Sequence, residues 1–185
     1  TEIQISENGN KIIGSKSGTV KTDDGIIIDA NEFEYNKISN TLIAKGSVKF
    51  IDQKNDYKIF ADTIIYLKNE EKITTEGNSK AIYNNGLTIN SNNFNFNKKQ
   101  NTLNATKSVK IKNLEKDYEI YTEEITYYKN LEKIVTVGNT EAKIHSNYNF
   151  FSSDINYFLN KEILSSKNPS TIKDKNSNFY KLTKF

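Results

Sequence analysis

The sequence predicts an all-β, antiparallel protein assembled by stacking one short repeat, and three observations carry that prediction. First, GIIIDANEFEYNKISNTLIAKGSVKFIDQKND from Gly25 returns from Gly86 as GLTINSNNFNFNKKQNTLNATKSVKIKNLEKD, and YKIFADTIIYLKNEEKITTEG from Tyr57 returns from Tyr118 as YEIYTEEITYYKNLEKIVTVG, at one offset of 61 residues. Each offset holds two related units of about 30 residues, a period typical of stacked architectures whose units cannot bury an apolar face alone. Second, apolar and polar residues alternate within every unit, the period of a strand with one oily face. Third, Asn- and Asp-rich clusters such as 36–40 and 52–56 separate the alternating runs. Their side chains bond their own main chain and tolerate left-handed backbone, so they read as turns.

Taken in order, residues 1–22 read as the tail of a unit, with Ile3, Ile5 and Ile12 alternating and Gly18-Thr19-Val20 standing for the Gly46-Ser47-Val48 of the next. From Gly25 one face carries Ile26, Ile28 and Ala30, then Phe33 and Tyr35, Leu42 and Ala44, Val48 and Phe50, which predicts three short strands per unit. The second unit matches with Ile59, Ala61, Ile64, Tyr66, Ile73 and Thr75, turns at Asn69-Glu70-Glu71, and answers Gly46 with Gly77. The third supplies Ile89, Ser91, Phe94, Phe96, Leu103, Ala105, Val109 and Ile111, but Lys107 occupies the glycine's place, so a weakened bend is expected there. In the fourth come Ile120, Thr122, Ile125, Tyr127, Ile134, Thr136, Gly138, Ala142 and Ile144. The fifth keeps Phe150, Ser152, Ile155, Tyr157 and Leu164 before Pro169, the only proline, which is expected to break the ladder or mark an edge. A sixth begins at Asn178. About five repeats therefore form a single domain over 1–185, cut mid-repeat at both ends, as a fragment of a longer chain would be.

Composition fits a thin core. Hydrophobic residues make up 35% and mean hydropathy is -0.70, yet 11% of the chain is aromatic, all Tyr and Phe, more than a disordered polar chain carries. No run approaches the roughly 20 apolar residues of a membrane helix. The absence of cysteine excludes disulfides, thiolate metal sites and a cysteine nucleophile.

Few residues point to catalysis. His145 is the only histidine and has no second ligand to complete a site, so it reads as a rim residue. The pairs Asp23-Asp24, Glu70-Glu71 and Glu123-Glu124 fall at turns or on polar faces, where carboxylates are solvated. No phosphate loop, dinucleotide fingerprint, nucleophile elbow or metal spacing occurs, so the chain does not read as an enzyme and needs no cofactor. Lysine interleaved with Tyr and Phe is how single-stranded nucleic acid is held, but the net charge is only +3, arginine is absent, and the aromatics share a face with the aliphatics. No nucleic-acid partner is expected. The recurring aromatics Phe33, Tyr35, Tyr66, Phe94, Phe96, Tyr127 and Tyr157 read either as plain core or as the wall of a groove for an acyl chain.

The segments IIIDANEFEY, NTLIAKGSVKF and YKIFADTIIYLKNEEKITTEG resemble the OstA-like repeat of the lipopolysaccharide-transport proteins LptA, LptC and the N-terminal periplasmic region of LptD. The likeness runs from Ile3 to Phe185, and the segment LSSKNPSTIKDKNSNFYKLTKF makes it most like LptD, with an LptA-type periplasmic bridge as the alternative. Lys107 and Asn168 depart from the pattern by replacing the repeat glycine. The resemblance implies a slightly twisted, V-shaped antiparallel β-jellyroll whose interior takes lipid A acyl chains of lipopolysaccharide. Its groove would be lined by Ile28, Ala30, Phe33, Tyr35, Leu42, Val48, Phe50, Ile59, Ile64, Tyr66, Ile73, Ile89, Phe94, Phe96, Leu103, Val109, Ile111, Ile120, Ile125, Tyr127, Ile134 and Ile144. It further implies edge-strand addition to other Lpt proteins, an outer-membrane lipoprotein partner if the chain is LptD, and a place at the periplasmic face of the outer membrane of a Gram-negative bacterium. A ligand-free structural or adhesive β-repeat is the reading from a different class.

Overall fold

The structure, a computed structural model, describes residues 2–23 and 25–184; Asp24 of the Asp23-Asp24 pair and the terminal Thr1 and Phe185 lie outside the described residues. The described residues form twenty β-strands and three single-turn 3-10 helices, and the strand pairings set out below are antiparallel. The chain divides into two compact units, one comprising Thr1–Asn84 with Asn93–Gln100 and the other Asn85–Asn92 with Asn101–Phe185.

In the first unit two long strands, Thr41–Asp52 and Tyr57–Leu67, pair with each other along their length. Shorter strands attach to only one half of them. Glu32–Asn36 and Lys72–Glu76 flank the halves 41–45 and 63–67, whereas Ile26–Ala30 and Ser79–Tyr83 flank 48–52 and 57–61. One bent ribbon thus feeds two layers. Glu2–Ser6, Lys11–Ser15 and Asn93–Asn97 extend the first layer and Gly18–Lys21 the second. Rings meet between the layers: Phe50 lies edge-on to Tyr66 with centroids 5.8 Å apart, and Tyr57 to Phe96 at 5.0 Å.

The second unit repeats the plan on Thr102–Asn113 and Tyr118–Tyr128. Lys133–Val137, Asn156–Phe158 and Ile163–Ser165 continue one layer. Leu87–Ser91 lies on one side of the ribbon in the other layer; Asn139–Ile144, Tyr148–Ser153, Ser170–Asp174 and Phe179–Leu182 follow on the other side. Tyr118 and Tyr157 meet edge-on at 5.1 Å.

The bend comes from a bulge in which two residues oppose one. Lys45 pairs with Thr63 and Val48 with Ala61, so Gly46 and Ser47, at φ 78 and φ 50, face Asp62 alone. Residues 25–56 form the three strands expected, Ile26–Ala30, Glu32–Asn36 and Thr41–Asp52, but the third runs through the bulge for twelve residues and is not short. The weakened bend expected at Lys107 is not found. Lys107 and Ser108 take the same left-handed pair, φ 67 and φ 56, because the flanking pairings Thr106–Glu124 and Val109–Thr122 demand it.

Two further expectations change. Near the start of the chain the left-handed pair is Lys16-Ser17, φ 63 and φ 59, so Gly18 stands where Val48 does and Val20 where Phe50 does, two residues from the alignment of the glycines. Pro169 leaves the ladder intact: it precedes Ser170–Asp174, which pairs on both sides. Asn168, restricted by that proline, is absent from the left-handed positions, and its amide donates to the Ser153 carbonyl at 3.2 Å and to Asp154 at 2.9 Å.

Candidate functional site

Because successive side chains alternate between faces, register decides which residues share the interior. In the first layer of unit one, Ile12, Tyr35, Leu42, Tyr66, Ile73 and Phe96 form one unbroken cross-strand row. Facing it in the second layer run Val20, Ile28, Phe50, Ile59 and Ala81. The second unit has the matching rows Leu103, Tyr127, Ile134, Tyr157 and Leu164, and Ile89, Ile111, Ile120, Ala142, Phe150 and Ile172. Every residue named as a groove candidate is buried except Tyr35 and Ile144, which are half-buried.

Through the middle of each unit these side chains fill the space between the layers. Phe50, Ile73, Ile111 and Ile134 expose none of their surface. Burial registers on the phenols: it pushes Tyr127 and Tyr157 up to about 12, and Tyr57 and Tyr118 higher still, so all four remain neutral.

Open space lies at the end of unit one built by the first strands. A cavity of about 580 Å³ is walled by Ile3, Ile12, Val20, Phe33, Tyr35, Leu42 and Tyr66, with Lys21, Asp23 and Lys68 among its polar residues. Ile3, Ile12 and Val20 were not among the groove candidates. Their alternation was visible, but reading Val20 two places out of register hid its position opposite Ile28.

Two rims border each interior. Along the bulged side runs a seam whose composition shifts between the copies: Ala30, Ala61, Ala44 and Val48 in the early repeats, and Ser152, Thr122, Ser166 and Ser170 at the corresponding later places. The later hydroxyls satisfy one another. Thr140 reaches Thr136 at 2.8 Å and Thr122 at 3.1 Å, Ser170 reaches Ser152 at 2.8 Å, and the Ile155 amide donates to Thr136 at 2.9 Å. Across the opposite rim of unit one, Lys98 in the first layer meets Asp52 in the second at 3.0 Å. Burial disfavours the Asp52 carboxylate, but hydrogen bonds from Asn55 and Lys98 outweigh that cost and hold it below its ordinary range. The 61-residue counterparts, Asn113 and Leu159, are uncharged, and there Lys116 donates instead to the Leu159 carbonyl at 2.8 Å. Alternation marked Asp52 only as a turn residue, since its partner lies 46 residues away.

His145 sits in a turn, half exposed, 4.0 Å from Glu162. Among the described residues no group of three or more His, Cys, Asp or Glu could hold a metal ion.

Residues 27–163 match the family model described as LptA/(LptD N-terminal domain) LPS transport protein. Among solved structures, the chain is similar to LptH, the LptA-homologous periplasmic component of the lipopolysaccharide transport device of Pseudomonas aeruginosa, at 13% identity and a TM-score of 0.33 over 86% of this chain and 95% of that one. No curated protein matches by sequence.

Proposed function

The chain belongs to the LptA and LptD N-terminal domain family of lipopolysaccharide transport proteins, and on that premise we propose that it carries lipopolysaccharide by its acyl chains, admitted between the two layers. The observation that supports this reading is the apolar cavity at the end of unit one, which continues into the inward rows through Tyr35, Leu42 and Tyr66. Each methylene moved from water into such a space contributes about 0.8 kcal/mol, so an acyl chain is held without any directional contact and can slide. Lys21 and Lys68 on the cavity wall supply cationic partners for a phosphorylated head group. The protein acts as a carrier, with no bond made or broken.

Strands at the edges give the carrier its neighbours. Glu2–Ser6, with Ile3 and Ile5 about two-thirds exposed, and Phe179–Leu182, with Phe179 63% exposed, each pair on one side only among the described residues. Such edges accept a strand from another Lpt protein, main chain to main chain. The repeat pattern of the last segment supports an LptD N-terminal region, working at the periplasmic face of the outer membrane, over an LptA-type bridge. The filled middle of each unit is what a ligand-free scaffold would also show, and binding separates the two.

Val20→Asp tests the reading at a half-buried position of the strand Gly18–Lys21. Capture of lipopolysaccharide by the purified chain, read by displacement of a fluorescent fatty acid, should fall by about tenfold or more with an unchanged circular dichroism spectrum. A folded variant that binds as the parent does would remove the cavity from the account.

A further inference from the structure

We propose that the bulged corner of unit two is a saccharide-binding site, a reading that goes beyond acyl-chain transport and does not need it. A cavity of about 850 Å³ opens there, walled by Tyr121, Phe151, Glu123 and Glu141 together with Thr122, Thr140, Ser152 and Lys110. This mixture suits one ligand chemistry. An aromatic face packs on the C–H face of a pyranose ring, carboxylates accept from its hydroxyls, and the serine and threonine wall is neutral and polar. Two carboxylates oppose an anion, and the hydroxyl wall offers little to an acyl chain.

The parts are held before any ligand arrives. Phe151, 38% exposed, presents its ring outward on the row Lys110, Tyr121, Glu141, Phe151. Tyr121 is held in place by the Lys110 and Lys143 ammonium groups over its ring, 5.0 and 5.1 Å from the centre, and by its hydroxyl donating to Glu119, which leaves Phe151 as the ring open to a sugar. The Thr140–Thr136 and Ser170–Ser152 hydrogen bonds lock the wall behind.

The tandem copy is an internal control. At the positions 61 residues earlier the sequence has Phe60 for Tyr121, Ala61 for Thr122, Lys80 for Glu141 and Asn90 for Phe151, so the Phe151 ring and one acceptor are special to the later copy. The corner itself also differs. A Cβ built at Gly77 would collide with the Asp62 carboxylate, which Asn78 holds in place at 2.8 Å, whereas at the counterpart Gly138 it would meet nothing within 4 Å. The Asp62 carboxylate thus lies against Gly77, while no side chain lies against Gly138.

The test is an amide NMR titration of the full chain with chitotriose and with the oligosaccharide released from lipopolysaccharide by mild acid. At least one sugar should give saturable shifts at 108–110, 121–123, 139–141 and 151–153, with a dissociation constant of about 1 mM or tighter. Phe151→Asn and Glu141→Lys install the residues found 61 positions earlier, Asn90 and Lys80, and each should weaken binding by about tenfold or more, while Val20→Asp leaves it unchanged. No saturable shift with either sugar, or parental affinity in both variants, overturns the proposal. Intact lipopolysaccharide then identifies the source: weaker capture by Phe151→Asn assigns the site to the lipid-linked glycan, and unchanged capture assigns it to free glycans. Because Val20→Asp and Phe151→Asn act on different readouts, failure of the acyl-chain reading and failure of this one are separately visible.

Discussion

Lys107 shows how far a single residue can be forced by its neighbours. Its counterpart Gly46 has two reasons to be glycine: φ is 78, and a Cβ there would come within 2.7 Å of the Asn31 amide nitrogen. In the second copy the same left-handed backbone is imposed on a lysine at φ 67. An L-residue with a Cβ loses roughly 1 kcal/mol in that region, so Lys107→Gly should raise unfolding free energy by up to about 1 kcal/mol, partly offset by the freer unfolded chain. Urea unfolding with an unchanged m-value checks it, and a neutral or destabilising result would mean the lysine stem packs in a way that compensates. The substitution was legible in the sequence but its consequence was not, because φ at 107 is fixed by pairing with residues 15 to 17 positions away.

At the scale of elements, the tandem copies offer two solutions to one rim. Unit one joins its layers with Asp52 and Lys98, whose side chains are 1% and 11% exposed, and unit two places Asn113 and Leu159 there. Removing one member of a buried pair strands the other, at a cost of about 3–5 kcal/mol, whereas replacing both together is often near neutral. Lys98→Leu alone should therefore destabilise strongly, and the double variant Asp52→Asn with Lys98→Leu should recover most of the loss. Acid adds a second readout. Asp52 titrates below its unfolded value, so its contribution is fully present above that value and is lost as pH falls through the folded one. The parent should lose this stability below about pH 4, and the double variant should show a flatter profile. Equal acid sensitivity in both would deny the pair its role. Strand identity and inward faces were legible here from alternation, as at Ile28, Phe50 and Ile59. Joining 42–44 to 48–50 was not, because a bulge of two residues preserves the face while erasing the apolar signal between.

Over the whole molecule, the repeat offset together with the period-two alternation specified an all-β repeat protein with one oily face, since residues 61 apart must take the same place in the ladder. What the sequence could not show is where that face is filled and where it is open, for filling depends on how ring edges such as Tyr57 and Phe96 meet between layers. Tyr35, Leu42 and Tyr66 were readable as inward residues, but only the register of the strands before them places a cavity beside them. The most direct measurement is photo-crosslinking to lipopolysaccharide from a benzophenone side chain introduced at Tyr35 or Tyr66, set against the outward neighbours Ile43 and Ile65. Capture at 35 and 66 with little at 43 and 65 is the predicted result. Equal labelling of the two faces, or none at 35 and 66 in a folded chain, would contradict it.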